Sequence, residues 1–542
     1  MKYEIFLTSV LRFPLRAGFT ARAIFICAVL ICLPPITFPA PLATQTRNNE
    51  TRQLIKQAKK LVRRGEFSEA EKLLRRAVET SAQDGGAENS DAKLNLAYAL
   101  LKQQQLREAY ELSFAVARIE PKNARAFALL GTVLLNVGNF PDARLSLLNA
   151  LQIDDRDALA WAGLGTLNFF ENKISNGLGQ LQTAVFLEPS EPDFLFTLAQ
   201  VASRAEDYKQ AAAAYERFLQ ISPEADVERR ARIKGLIGFL RFLGNKKSLY
   251  SLSGAPESSV NFRLVNDRPV IQLKINGRES EPLNFVIDTG SGISVISEET
   301  AQRLKIKAIT RGGFARGVGG DGKFEIVYGF LRSVGVGAVE IRSVPVYIRQ
   351  FHQNNDKIDG YIGLSLISKF LTTIDYGNLT FSLRKKDKQS DGDLKKQDGG
   401  ENLKNEAVSI PLRLTSSGFL SGEVRLGGVD APFNFIVDTG ASISVISNEI
   451  AGLNEMKPFV GKEKMRVVGA AGVIEDMPSY ILPKISFGEH SRERVKAVAL
   501  NLNVINETSG FEQAGILGGN FLKNYRLTFD FANSKVIFVP TK

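Results

Sequence analysis

Small and bulky apolar positions recur through the first half of the chain with a period of 34 residues. Ala97, Gly131, Gly165 and Ala199 keep that step, and so do Ala109, Ala143, Gly177 and Ala211. A bulky set, Leu106, Phe140, Ile174 and Tyr208, follows it too. Pro121, Pro189 and Pro223 mark repeat ends, with Asp155 in the equivalent place between them. An imperfect earlier copy sets Ala58, Phe67 and Ala70 39 residues before Ala97, Leu106 and Ala109, with the insertion near Gln83–Asn89. Small residues let two helices approach closely, and bulky ones fill the groove between successive pairs. About five two-helix repeats are therefore predicted over 51–224, closed by an amphipathic helix at Val227–Leu243. The whole helical region spans 51–246.

Farther on the pattern changes to short runs of Val, Ile, Phe and Thr between glycine turns, which predicts small all-β units. These runs are duplicated. Residues 282–297, PLNFVIDTGSGISVIS, return at an offset of 150 as residues 432–447, PFNFIVDTGASISVIS, identical at eleven of sixteen positions. Gly317-Val-Gly-Gly-Asp-Gly322 aligns at the same offset with Val467-Val-Gly-Ala-Ala-Gly472. Gly360-Tyr-Ile-Gly363 answers Gly515-Ile-Leu-Gly518, and each reaches an aspartate, Asp375 or Asp530, 12 residues past its last glycine. Two β units follow, 260–384 and 408–542. Between them, 385–407 is dense in Lys, Asp, Gln and Gly and reads as a flexible charged linker. The stretch Lys246–Ser259 reads as a shorter polar linker between helices and strands.

The 34-residue pattern resembles the tetratricopeptide repeat (TPR) family. The duplicated motif resembles the retropepsin-like aspartic peptidases, which combine an Asp-Thr-Gly-Ser/Ala turn, a glycine-bearing flap and an apolar-apolar-Gly element. The fold expected is multidomain: an all-α helical-repeat solenoid followed by two all-β lobes. The resemblance implies an aspartic endopeptidase whose catalytic pair is Asp288 and Asp438, one from each lobe. Two carboxylates in contact cannot both ionise, so they share a proton and can serve as base toward water and acid toward substrate. Thr289 and Thr439 correspond to threonines that bond across the lobes in the family. Gly290 and Gly440 let the backbone turn where a Cβ would crowd the carboxylates. Ser291 and Ala441 take the variable place, the serine being able to reach the outer oxygen of Asp288. Gly317, Gly319, Gly320, Gly469 and Gly472 suit hairpin tips closing over an extended peptide, and Gly363 and Gly518 are the distal glycines. A substrate would add as a β-strand, and the repeats would offer a face to an unidentified protein partner. The competing reading is a non-catalytic peptide binder or scaffold built from inactive lobes. The second flap, Gly-Ala-Ala-Gly, lacks the tyrosine that pepsin-like enzymes often carry there.

Composition narrows the chemistry. With 542 residues, 44% hydrophobic and 23% charged, the chain is an ordinary folded, multidomain one. Its net charge of +11 is spread over both halves, with no basic helix interleaved with aromatics and no zinc-finger spacing, so a nucleic-acid partner is not expected. Both cysteines, Cys27 and Cys32, lie in an N-terminal apolar run. His352 and His490 are the two histidines, without companions at ligand spacing. No metal or other cofactor is expected, and the available acid–base groups are carboxylates. Residues 1–43 read as an export signal: Lys2, Arg12, Arg16 and Arg22 precede an apolar core at Ala23–Leu33, which prolines then break. The expected location is periplasmic, secreted, or anchored facing the extracytoplasmic side. The cleavage site is poor, so an uncleaved membrane anchor stays open.

Overall fold

The computed structural model describes residues 42–82, 87–224, 227–277, 282–320, 322–352, 356–385 and 407–541. Nearly all of the expected export signal and the bulk of the 385–407 linker lie outside the described residues. No described helix is long and apolar enough to cross a membrane. The chain forms two compact units, with the boundary between Lys122 and Asn123.

The first unit carries the helices Leu42–Arg64, Phe67–Ser81, Ala87–Lys102 and Leu106–Ile119. Its small repeat positions Ala58, Ala70, Ala97 and Ala109 are fully buried. Arg75 ties two of these helices together, bonding Glu71 within its own helix and Glu108 in the last one at 2.6 Å. The pair is half exposed and contributes little to stability.

The second unit continues the same design with helices from Ala124 to Gly244. Several begin where an Asn or Asp side chain accepts the backbone N–H three residues on. Asn123 caps Ala126 (3.1 Å), Asp157 caps Ala160 (2.8 Å) and Asp207 caps Gln210 (3.0 Å). The period-34 small residues sit where helices touch. A Cβ on Gly165 would lie 2.7 Å from Leu181 Cγ and 3.1 Å from the Gly177 carbonyl. Together the described helices form TPR-like repeats, and everything from Ser251 to Pro540 is built mainly of strands in two β lobes.

Each lobe repeats one arrangement. The strand before the aspartate, Leu283–Ile287 or Pro432–Val437, runs parallel to the apolar-apolar-Gly strand, pairing Phe285 with Gly360 and Phe435 with Gly515. That strand in turn pairs antiparallel with Val295–Ser297 or Ser444–Ser447. A six-stranded sheet joins the lobes. At its centre Phe370–Asp375 of lobe 1 pairs antiparallel with Tyr525–Asp530 of lobe 2, Thr372 opposite Phe529 and Ile374 opposite Leu527. Asp375 and Asp530, the matched aspartates of the two copies, accept turn N–H groups at the ends of these strands.

The segment 246–259, read above as a polar linker, instead supplies strands. Ser251–Gly254 pairs with Val339–Arg342 of lobe 1, and Glu257–Asn261 forms an edge of the shared sheet. Polar sequence misled here because an edge strand exposes one face and one backbone edge to water. Nor do the helices of this unit stand apart from the lobes. Phe140 and Phe170 pack on Phe511 of lobe 2 with ring centroids 4.9 and 5.0 Å away, and Arg413 lies 4.0 Å over Phe140. Asn172 donates to the Phe531 carbonyl at 2.8 Å. The closing helix Val227–Gly244 packs on lobe 1, stacking Phe239 on Tyr328 at 4.5 Å and Phe242 edge-on to Phe330 at 5.2 Å.

Candidate active site

Asp288 and Asp438 each follow a strand whose last residues are fully buried, Ile287 and Val437. The neighbouring strand holds each aspartate in place. The Asp288 N–H donates to the Ile362 carbonyl (3.0 Å) and the Asp438 N–H to Leu517 (3.1 Å). Just beyond, Leu364 N–H donates to Ser291 O at 2.8 Å and Gly519 N–H to Ala441 O at 2.7 Å. The distal glycines belong to the same clamp: Gly363 N–H donates to Ser294 Oγ (3.1 Å) and Gly518 N–H to Ser444 Oγ (3.2 Å).

The lobes meet through their threonines. Thr289 Oγ1 donates to the Val437 carbonyl and Thr439 Oγ1 to the Ile287 carbonyl, both at 2.7 Å. Reciprocally, Thr289 N–H donates to Thr439 Oγ1 (3.2 Å) and Thr439 N–H to Thr289 Oγ1 (3.0 Å). Both side chains are fully buried, so these four polar contacts have no water competing with them. The glycines that follow are needed for the opposite lobe rather than for their own turn. A Cβ on Gly290 would strike the carboxyl of Asp438, and one on Gly440 the carboxyl of Asp288.

The result is two facing carboxyl groups within hydrogen-bonding reach. Asp288 Oδ1 accepts from Gly290 N–H at 2.9 Å; Asp438 Oδ1 accepts from Gly440 (2.8 Å) and Ala441 (3.2 Å). Burial, followed by the charge of Asp438, pushes Asp288 well above the usual carboxylate range, while the charge of Arg349 and the Gly290 amide pull it back. Burial also raises Asp438, and its hydrogen bonds oppose that. Such a pair holds one proton between two oxygens over a wide pH range. Ser291 does not serve the dyad as its sequence position suggested. Its hydroxyl donates to Ile293 O at 2.7 Å, a bond within its own turn.

Two hairpins carry the flap glycines, Thr310–Arg316 with Lys323–Val336 and Val460–Gly469 with Gly472–Phe487. Their tips interlock. Ala471 N–H donates to Val318 O at 2.9 Å and Gly320 N–H to Val473 O at 3.2 Å. Gly319 (φ +106°) and Gly472 (φ +140°) hold backbone conformations that side chains rarely adopt, and they lie against each other. Gly469 abuts the Val318 carbonyl, and Gly317 N–H closes its own turn on Gly322 O at 3.0 Å. The structure thus brings the expected dyad, threonines, Gly290, Gly440 and the distal glycines together, and sets the flap glycines of the two lobes against one another. Sequence reading passed over Arg349 and Tyr361 on the lobe 1 side of the dyad. The signal was available in comparing each copy's apolar-apolar-Gly element, where Tyr361 stands in lobe 1 and Ile516 in lobe 2.

Comparison with known proteins agrees with this construction. The aspartyl protease family matches twice, over 271–366 and 422–521, each match containing one Asp-Thr-Gly turn. The tetratricopeptide repeat family matches over 55–124 and 163–226. Curated protein sequences yield no match. Among solved structures, a thermophilic TPR protein of Thermus thermophilus is 20% identical, with 34% of this chain and 98% of that one covered and a TM-score of 0.30. PilF of Pseudomonas aeruginosa is 19% identical over 37% and 89% of the two chains, TM-score 0.27. MamA from Desulfovibrio magneticus is 21% identical over 35% and 99%, TM-score 0.24. The chain thus carries tetratricopeptide repeats in its first half and two tandem regions in its second half that match the aspartyl protease family.

Proposed function

We propose that the protein is an exported aspartic endopeptidase that hydrolyses peptide bonds with Asp288 and Asp438 as a shared dyad. The observation that carries this reading is the facing pair of carboxyls held by reciprocal threonine bonds, since a merely structural aspartate needs no such partner. In the reaction, water bound between the carboxyls loses a proton to the ionised member as its oxygen bonds the carbonyl carbon. The protonated member donates to the carbonyl oxygen, giving a neutral tetrahedral diol. Collapse of the diol breaks the C–N bond as a proton passes to the leaving nitrogen, and the dyad returns with one proton. An extended peptide would lie between dyad and flaps as an added strand, and the flap tips must part to admit it. The helical repeats would hold a protein partner. The N-terminal apolar segment favours export.

The test is digestion of a peptide library from pH 3 to 7 by wild type, Asp288→Asn and Asp438→Asn, with and without pepstatin. Wild type should cleave, pepstatin should block it, and each variant should be inactive. EDTA and thiol reagents should leave cleavage unchanged, as Cys27 and Cys32 both fall in the expected signal and the two histidines stand apart in sequence. Absence of cleavage by wild type across the range, with peptides still captured, would favour the non-catalytic binder instead.

A further inference from the structure

The duplicated lobes allow the two halves of the cleft to be compared position by position. In lobe 2, His490–Leu500 runs parallel to Ser444–Ser447, with Leu500 opposite Ser447. In lobe 1, Val339–Arg349 runs parallel to Val295–Ser297, with Arg349 opposite Ser297. Ser297 and Ser447 are the same position of the repeated motif, so Arg349 and Leu500 occupy one position of the cleft wall. By the same logic Tyr361 corresponds to Ile516, each pairing with the valine of its lobe, Val295 or Val445. Phe324 corresponds to Ile474, each two residues past the last flap glycine.

The two halves differ in chemistry. On lobe 2, Leu500, Ile516 and Ile474 belong to one apolar cluster around Val445, into which Val318 of the opposite flap also packs. On lobe 1 a cation takes the central place. The Arg349 guanidinium lies 5.0 Å from the Phe324 ring and 5.7 Å from Phe351, which itself packs edge-on to Tyr361 at 5.3 Å. Its Nε is sealed from solvent and has no hydrogen-bond partner, and among the described residues no ion pair to the guanidinium is found. The side chain as a whole is only partly exposed, and although the charge of Asp288 reaches it, a guanidinium cannot shed its charge, and burying part of one without a hydrogen-bonded acceptor is unfavourable. Aromatic faces compensate in part. Among the described residues no hydrogen bond engages its two terminal nitrogens, which are the groups a carboxylate would take.

We propose that Arg349 makes the lobe 1 half of the cleft a carboxylate-binding subsite, so that the preferred peptide has Glu or Asp flanking the scissile bond on that side and an apolar residue on the other. This deepens the peptidase reading and rests on it for the word scissile, but recognition itself can be read without cleavage. The experiment uses full-length Asp438→Asn protein and an array of dodecapeptides bearing Glu, Gln, Leu or Lys at each of the six central positions. Binding should favour Glu over Gln at one position by about 10- to 100-fold, the discrimination expected of a charge-assisted bond to a desolvated partner. Arg349→Leu, which copies the lobe 2 residue, should abolish that preference and favour Leu there. Arg349→Lys should retain part of it, and circular dichroism would show that both variants fold. In active protein the same substitution should raise KM for Glu peptides more than for Leu peptides. No binding, no preference for Glu, or a preference indifferent to Arg349→Leu each overturns the subsite. A Glu preference without cleavage by wild type would leave the subsite standing and remove the peptidase.

Discussion

Each carboxyl of the dyad has a folded-state pKa above its ordinary value, and the sign of the consequence follows. Between the unfolded carboxylate value, near 3.9, and the raised folded value, the native state holds more protons than the unfolded chain, so stability falls as pH rises through that window. Asp288→Asn removes one of the two mutually repelling groups. It should raise the melting temperature at pH 7 and confer less advantage as pH falls toward 4, while activity is lost; thermal melts at both pH values check this. The threonines behave oppositely. Thr289→Val keeps shape but leaves the Val437 carbonyl and the Thr439 N–H without partners, a cost on the order of 3 kcal/mol for two buried groups. Urea denaturation should register it, together with weaker activity as the dyad loosens. At this scale much was legible, because two copies of Asp-Thr-Gly in matching apolar flanks imply one pairing. The partner of the Ser291 hydroxyl was not legible, since two acceptors lay within local reach and only the turn decides between them. Arg349 was missed for another reason: its setting against Phe324, Phe351 and the charge of Asp288 comes from separate strands, which no run of residues displays.

Elements were read best where one period governs them. The 34-residue spacing located small residues that prove to be helix contacts, such as Gly165 against Leu181. It said nothing of the other faces of those helices, which a repeat unit normally leaves to solvent or a ligand. The closing helix shows what was lost. Gly235 lies so close to the flap strand Thr310–Arg316 that a Cβ would collide with the Arg311 carbonyl and Gly312 Cα. Tyr328, from the other strand of that flap, stacks on Phe239 of the same helix, and Lys323 pairs with Glu228 at 2.5 Å. The stem of one flap is therefore anchored to the helical region, while the second flap has no such helix described against it. Gly235→Val should push helix and strand apart, costing about 1–3 kcal/mol as overpacking does. Amide exchange should accelerate in residues 310–316 and 323–330 but not in 460–487. Equal acceleration in both flaps would mean the helix does not brace flap 1 selectively.

At the scale of the chain, the question is which two lobes make a site. A crossed pair of chains would reproduce every threonine bond and every rung between Phe370–Asp375 and Tyr525–Asp530, so contact energy cannot choose between the arrangements. Tethering can. Modules carried on one chain meet at effective concentrations on the order of 1 mM. Against about 1 μM protein, that factor of about 10³ favours the internal pair by about 4 kcal/mol. A second tether was invisible in the sequence because its contacts join residues between 89 and 371 positions apart. Helices of the second unit hold lobe 2 through Phe140, Phe170 and Phe511, and the closing helix of the same array holds lobe 1 through Phe239 and Tyr328. One packed body thus grips both halves of the site and fixes which copies face each other. Mixing full-length Asp288→Asn with full-length Asp438→Asn should then yield no activity, because every internal site retains one inactive member. Crossed pairing would restore one intact dyad per dimer, and recovery of even a tenth of wild-type activity at micromolar concentration would show that the tethers do not control assembly.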